Sequence, residues 1–472
     1  MRYVEFDCAP SVNELMEHIE YLPDRFIIED VGSGRAVIGA QPFLKLTSKD
    51  GITVCDQAGT QTILPGDPFE VLSNTLKQFA CEPIRGIPFA GGAVGYLAYD
   101  LGRAIEHLPT LAVEDVSTPD YCLGFYDSAL IVDLPRRLCI AVSQSGDKDA
   151  LRFWYDLAKA SDHSGKPAHP DLDIVNSPDR LLHTISRRTG ELRSNFTKTE
   201  YLHAVERVKE YIAAGDCYQV NLSQRFDTEL TVPPWELYKT LRRINPAPHS
   251  CFMQMGEPIL ASASPESFLS YDPVTRTVTT RPIKGTRPRG STPEEDARLA
   301  EELASSEKDR AENVMIVDME RNDLGRVARY GTVRVPELWR IEAHPNVFQM
   351  VSTVQAELAE DKDAVDLLRA SFPGGSITGA PKVRAMEIIE EIEPHRRGIY
   401  TGSAGFIDFT GRVELSIVIR SFVVQAGRVY FHAGGGIVAD SDPEMEYEET
   451  LHKVSGLVAT LEECGCKSGS RM

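Results

Sequence analysis

Paired metal-binding motifs are missing from this 472-residue chain. Its eleven histidines form neither HxH nor HExxH, so nothing in it points to a histidine zinc site. Nine cysteines stand at 8, 55, 81, 122, 139, 217, 251, 464 and 466 without a CxxC pair. An odd, scattered set reads as reduced thiols in a reducing cytoplasm, and Cys464-Gly465-Cys466 reads as a frayed tail. No apolar run approaches the roughly 18 residues of a membrane helix, and the greasiest strip, Leu415 to Val424, is broken by Arg420. The acidic start Met1-Arg-Tyr-Val-Glu-Phe-Asp7 has no apolar core of a signal peptide. Positive charge is short too: 50 Lys+Arg face 70 Asp+Glu, a net charge of -20, which disfavours phosphate backbones and anionic lipid. No internal repeat is visible.

What is present is ordinary globular usage, 42% hydrophobic and 25% charged, at a length that calls for two cores or one large layered domain. Residues 1–160 alternate short apolar strands with Gly/Pro turns. A polar stretch, 161–195, reads as a linker or surface excursion, and 464–472 as a tail. From Phe196 the pattern sharpens. Thr197 and Glu200 make a capping box, an apolar stripe runs through Tyr201, Val205, Val208 and Ile212, and Gly215 ends the helix. Strands are expected over 218–226 and 267–280, and a helix over 293–304. Alternation from Val413 to Arg420 predicts a half-buried strand. A last helix opens at Asp442-Pro443 and buries Tyr447, Leu451, Val454, Val458 and Leu461. Strands and helices come in runs, so the fold class is α+β, layered antiparallel sheets flanked by helices.

Three constellations could carry chemistry. Glu446 and Glu449 lie three apart on the last helix with Lys453 one turn on, and Asp309 and Glu312 repeat the spacing in another helix. Oxygen-only ligands suit Mg²⁺, although in so acidic a chain the pairs alone read as a solvated face, as Glu390 does on its own helix. Glycine-rich turns at 372–382 and 433–437 could offer backbone N–H groups to an anion, or be plain tight turns. Lys284, between a β-like run and Gly285, is either a surface cation or, if desolvated near Glu266 or beside a cation such as Arg281, a nucleophile. Arg420, placed on a mostly apolar strand, needs an anionic partner.

Taken together, these segments resemble the chorismate-utilising enzymes, the family of the anthranilate, aminodeoxychorismate, isochorismate and salicylate synthases. The resemblance runs in one order through "YQVNLSQRF" (218–226), "SPESFL" (264–269), "RPIKGTRPRG" (281–290) and "EKDRAENVMIVDMERNDLGR" (307–326). It continues through "FPGGSITGAPKVRAMEII" (372–389), "IVIR" (417–420), "AGGGIVADSDPE" (433–444) and "EETLHK" (448–453). Before residue 160 it is looser, carried by "PFAGGAVGYLAYD" (88–100).

The resemblance implies the family's fold, with 1–160 as an N-terminal subdomain of the anthranilate synthase component I type and 196–463 as the chorismate-binding catalytic domain. It makes Lys284 the nucleophile, since the aminodeoxychorismate-forming branch carries "PIKGT" where anthranilate synthases have Ala, and Glu266 the acid for the leaving hydroxyl. Glu312 and Glu449 become Mg²⁺ ligands with Asp309 and Glu446 in outer positions. Gly285, Thr286, Ser376, Tyr400, Arg420, Gly434, Gly435, Gly436 and Lys453 become substrate contacts. Two departures stand out. Gln349 replaces a His of the anthranilate and isochorismate branches, and Asp30 replaces a Ser of the tryptophan pocket, which leaves tryptophan binding open. No GxCxG nucleophile elbow is present and little chain follows Lys453, so a separate glutamine amidotransferase subunit is implied as the ammonia source. The alternatives are anthranilate synthesis, or water addition as in the isochorismate and salicylate synthases.

Overall fold

The computed structural model describes residues 1–162, 192–344 and 347–465. Most of the expected linker (163–191) and the tail from Cys466 lie outside the described residues. Two sheets of twelve strands each, paired antiparallel throughout, form the centre of the molecule. Strands from before residue 160 and after residue 196 meet in both sheets: Arg25–Asp30 pairs with His249–Gln254 in the first, and Gly92–Leu97 with Ser403–Asp408 in the second.

The strand sequences explain the layering. Neighbouring residues point to opposite faces, and here both faces are apolar. Ile27, Leu130 and Val132 turn outward into a core shared with the helical residues Leu15, Trp154, Trp235 and Val454. Phe26, Ala129 and Ile131 turn inward to meet Val94, Tyr96 and Phe406 of the second sheet. That second sheet buries Leu46, Leu123 and Leu415 against the helical Phe69, Leu72, Val317 and Leu368. The result is helix, sheet, sheet, helix, the expected layered α+β class.

Local signals hold in detail. Thr197 caps the helix Lys198–Ala214 in a complete capping box, and Gly215 ends it at φ 84°. The helix Pro293–Ser305 and the final helix Pro443–Glu463, capped by Asp442, fall where expected. In the final helix Val454, Val458 and Leu461 are buried, while Tyr447 and Leu451 are only half-buried.

Three expectations need correction. The strand expected over 267–280 is a hairpin, Ser267–Asp272 and Thr277–Thr280, because Asp272 accepts the Val274 N–H in a tight turn and Arg276 takes φ 53°. The strand from Val413 ends at Ile417, so Arg420 is not on it. The glycines 434–436 are no turn but the interior of the strand Arg428–Ile437, registered against Asn221, Leu222 and Ser223.

Candidate active site

Two of the passages by which the chain leaves one sheet and enters the other lie side by side. The first passage runs from Ile259–Ser264 through Glu266 to Ser267–Asp272, and the second from Val413–Ile417 through Arg420 to Ser421–Gln425. They are laced together: Ile417 N–H donates to the Glu266 carbonyl (3.1 Å), Ala263 N–H to the Arg420 carbonyl (3.2 Å), and Ser264 Oγ to the Ile417 carbonyl (2.6 Å). Hydrogen-bonded passages of this kind hold their side chains at fixed positions between the sheets. Arg420 sits at φ 55°, a left-handed conformation that costs a residue with a Cβ about 1–2 kcal/mol. Its guanidinium is half-buried and, among the described residues, has no ion-pair partner, while Tyr400 and Glu449 face it electrostatically.

Lys284 lies on the strand Ile283–Pro288 at the edge of the second sheet, half-buried, and its Nζ donates to the Ser376 carbonyl at 3.0 Å. Burial pushes its ammonium below the ordinary lysine range. Lys453 adds to that effect, against the pull of Glu266, Glu312 and Glu449. The depressing cation is therefore Lys453 and not Arg281, which pairs with Glu342. Glu266, 6% exposed, is pushed above the usual carboxylate range by burial, while the Ser376 hydroxyl, Lys284 and the Ile283 N–H pull it back. Both members of the Lys284–Glu266 pair are thus driven toward their neutral forms. Gly285 next door has φ 81°, and a Cβ there would stand 2.8 Å from Asp309 Cγ, so only glycine fits.

The carboxylates arrive from two helices. Glu312, on the helix Glu307–Gly325, is pushed up by burial and by Asp309 and Glu449, and pulled down by Lys284 and Lys308. Glu449 is held below the ordinary range against its own burial, first by Lys453, whose Nζ lies 2.5 Å from Oε1, then by Lys308 and Lys284. Glu446 accepts from Ser441 Oγ at 2.6 Å, and burial raises it. Both final-helix carboxylates press on the glycine strand: a Cβ on Gly435 would meet Glu446 Oε2 at 3.2 Å and Glu449 Oε1 at 3.4 Å. Gly434 and Gly436 are tighter still, an added Cβ standing 2.5 Å from Leu222 O and 2.1 Å from Gln219 Nε2. Lys453 Nζ also donates to the Gly434 carbonyl (2.8 Å).

Asp309 is drawn off to Arg287 at 3.1 Å. No group of three or more Asp, Glu, His or Cys gathers at metal-holding distance among the described residues, so the four carboxylates do not form one cage. Glu312 and Glu449 facing each other, with Glu446 beside them, fit a hard cation that takes few protein oxygens and completes its shell with water and substrate.

Tyr400 is buried, stacks on His432 (centroids 4.5 Å apart, planes at 7°) and is pushed up to about 12 by burial. Thr286 is exposed opposite Gln349, and among the described residues no side-chain hydrogen bond ties it to the other candidates.

Sequence reasoning missed three supports. Lys308, one helical turn before Glu312, faces Glu312, Glu446 and Glu449, and its i, i+4 spacing was there to be read. Arg397 and Glu393, 3% and 4% exposed, form a two-bond pair at 2.7 and 2.9 Å. Arg397 also donates to the Asn221 (2.6 Å) and Ile377 (2.9 Å) carbonyls, fixing the turn that carries Tyr400. Ser441 steadies Glu446, and no spacing rule announces it.

Compared with known proteins, residues 23–459 match the family model described as chorismate binding enzyme. The chain is 43% identical over 428 residues to aminodeoxychorismate synthase component 1 of Escherichia coli (strain K12), covering 90% of this chain and 89% of that one. It is 40% identical over 469 residues to anthranilate synthase component 1 of Thermus thermophilus, covering 97% and 96%. The crystal structure of anthranilate synthase component I from Streptococcus pneumoniae superposes with a TM-score of 0.74 at 30% identity, over 89% of this chain and 91% of that one.

Proposed function

The chain belongs to the family of chorismate-binding enzymes, and from that premise we propose that it aminates chorismate to 4-amino-4-deoxychorismate, the work of an aminodeoxychorismate synthase component 1. The relatives named for aminodeoxychorismate and for anthranilate synthesis differ by only a few per cent in identity, 43% against 40%. The single observation that carries the branch is Lys284, hydrogen-bonded to the Ser376 carbonyl and facing Glu266, Glu312 and Glu449 electrostatically, where the anthranilate branch has a residue without an amine.

Chemistry follows from the protonation states. A lysine attacks carbon only as the free amine, and a carboxyl protonates a leaving oxygen only as the acid. Burial moves Lys284 and Glu266 toward those two forms at one place. The Lys284 nitrogen adds at C2 of chorismate as the double bonds shift and the C4–O bond breaks. Glu266 gives its proton to the departing hydroxyl, which leaves as water. Ammonia then adds at C4, the double bonds shift back, and the C2–N bond to Lys284 breaks. The balance is chorismate plus ammonia giving aminodeoxychorismate plus water. Arg420 takes a substrate carboxylate with its fork of N–H groups, which answers its lack of a protein partner. Mg²⁺ held by Glu312 and Glu449, with Glu446 beside them, would neutralise the other carboxylate. Tyr400 and the strand 434–436 wall the substrate, and Lys453 orients Glu449.

A component 1 implies a second subunit, and a glutamine amidotransferase supplying ammonia is the partner this reaction calls for. The product belongs to the route to para-aminobenzoate and folate. No described helix is long and apolar enough to cross a membrane, and a cytoplasmic enzyme is the reading the free thiols support. Mass spectrometry of the products from chorismate, Mg²⁺ and ammonium chloride tests the reading. Aminodeoxychorismate is expected, and anthranilate or isochorismate as the main product would overturn it. Glutamine should support turnover only with an amidotransferase added.

A further inference from the structure

Behind the site, on the far side of Ser376, lies a cavity of about 10 Å³, room for a single water-sized molecule. Its polar lining is Glu320, Asp323, Thr280 and Ser371, and Gly375 closes it toward Ser376, whose carbonyl and hydroxyl meet Lys284 and Glu266.

Two of these groups lack the partners that buried groups ordinarily have. Glu320 is 9% exposed, accepts a hydrogen bond from Thr280 Oγ1 (3.0 Å), and among the described residues has no ion-pair partner. Ser371 is 4% exposed and its Oγ has no hydrogen-bond partner, although its carbonyl accepts Lys382 Nζ at 2.9 Å. Asp323, in contrast, is neutralised by Lys382 (2.6 Å) and Arg326 (3.0 Å). The cavity thus offers acceptor oxygens and an uncompensated carboxylate to something small, cationic and rich in donors.

We propose that this cavity is the ammonium subsite of the amination reaction, with Glu320 as the carboxylate that holds the ion and takes its proton. The inference rests on the amination reading. An ammonium ion has four donors and no acceptor, matching a pocket that presents oxygens from Glu320, Ser371 and Asp323. One N–H bond breaks as an O–H bond forms on Glu320, and neutral ammonia is released with the lone pair that attacks C4. Burial pushes Glu320 up to about 8, with Glu266 and Asp323 raising it further while the Thr280 bond and Lys382 lower it. A carboxylate so placed is a far better base toward ammonium than an exposed glutamate.

Steady-state kinetics of the whole chain with ammonium chloride as the nitrogen source decide the matter. Glu320→Gln, close in shape, should raise the KM for ammonium at least tenfold and move the chorismate KM less than twofold. Its pH behaviour is the sharper readout. The native KM, in total ammonium, should fall about fivefold from pH 7 to 8 as the empty site's Glu320 loses its own proton, and level off above that, because the bound pair is the carboxylate and the ion. The variant must capture neutral ammonia, so its KM should fall about tenfold per pH unit. Ser371→Ala should raise the ammonium KM about threefold and serves as the test if Glu320→Gln does not fold. An ammonium KM within twofold of native in the folded variants would mean a cavity that holds only water, and would overturn the inference. Absence of an aminated product from the native chain would overturn the amination reading instead.

Discussion

Replacing Arg420 should change binding and stability in opposite directions. Its guanidinium has no protein ion pair, so removing it leaves no protein carboxylate stranded. The substrate carboxylate, in contrast, loses a two-pronged contact. Hydrogen bonds to charged groups contribute about 1.5–3 kcal/mol each, so at least about 3 kcal/mol of binding is at stake, on the order of a hundredfold in affinity. The backbone adds a second effect. At φ 55° a residue with a Cβ costs about 1–2 kcal/mol, while glycine gives back about 0.5–1 kcal/mol through the looser unfolded chain. Arg420→Gly should therefore be about 0.5–1 kcal/mol more stable than the native chain while binding chorismate about a hundredfold more weakly. Arg420→Ala should share the binding defect without the gain. Arg420→Lys, which keeps the charge but not the fork, should fall between. Titration calorimetry with chorismate and Mg²⁺ measures the first effect and thermal unfolding the second. A glycine variant that melts below the native chain, or an alanine variant binding within threefold of it, would refute the reasoning.

Three more outcomes are expected. With chorismate and no ammonia, the intact mass should rise by chorismate minus water. Lys284→Ala and Lys284→Arg should both abolish that rise, since guanidinium stays protonated, and an adduct surviving in the alanine variant would make Lys284 a binding residue. Glu312→Gln and Glu449→Gln should each raise the Mg²⁺ concentration needed for half-maximal rate at least tenfold, and equal titrations with a neutral control would restore a solvated acidic face. Glu390 cannot be that control: it is 7% exposed, accepts the Leu111 and Ala112 N–H groups and pairs with Arg103, whereas Glu294 is exposed and suitable. The pH–rate profile should be a bell: Glu266, raised by burial, supplies the needed acid and loses its proton as pH rises, while Lys284, lowered by burial, loses the needed amine as pH falls. Glu266→Gln should abolish the fall at high pH and leave a slow rate that only climbs through the Lys284 titration, and a bell persisting in that variant would assign the acid elsewhere.

What was legible in the sequence was what depends on neighbours along the chain. The capping box at Thr197, the Asp442 cap and the i, i+3 carboxylates are local, and the helices present Glu312 and Glu449 as their spacing implies. The roles of glycines and of Arg420 depend on partners distant in sequence, and there periodicity misled. Alternation continues through Val418 to Arg420, yet the chain has already left the sheet, because Val418 and Thr401 bond across the passage (Thr401 N–H to the Val418 carbonyl, 2.8 Å) and Ala263 N–H claims the Arg420 carbonyl. The triple glycine resembles a turn by composition. It is a strand because it pairs with Asn221, Leu222 and Ser223, and it is glycine because Leu222 and Gln219 on one side exclude a Cβ while Glu446 and Glu449 crowd the other. Glu320 shows the same limit. In "VDMERND" it is one more glutamate in an acidic chain, and only the packing of Thr280, Ser371 and Gly375 around it, none within 30 residues, makes it a buried base. Helical spacing places charges on a surface, but burial decides which of them have lost water. That information resides in two passages between the sheets, which backbone hydrogen bonds tie together, one carrying a buried acid and the other a cation without an ion-pair partner among the described residues.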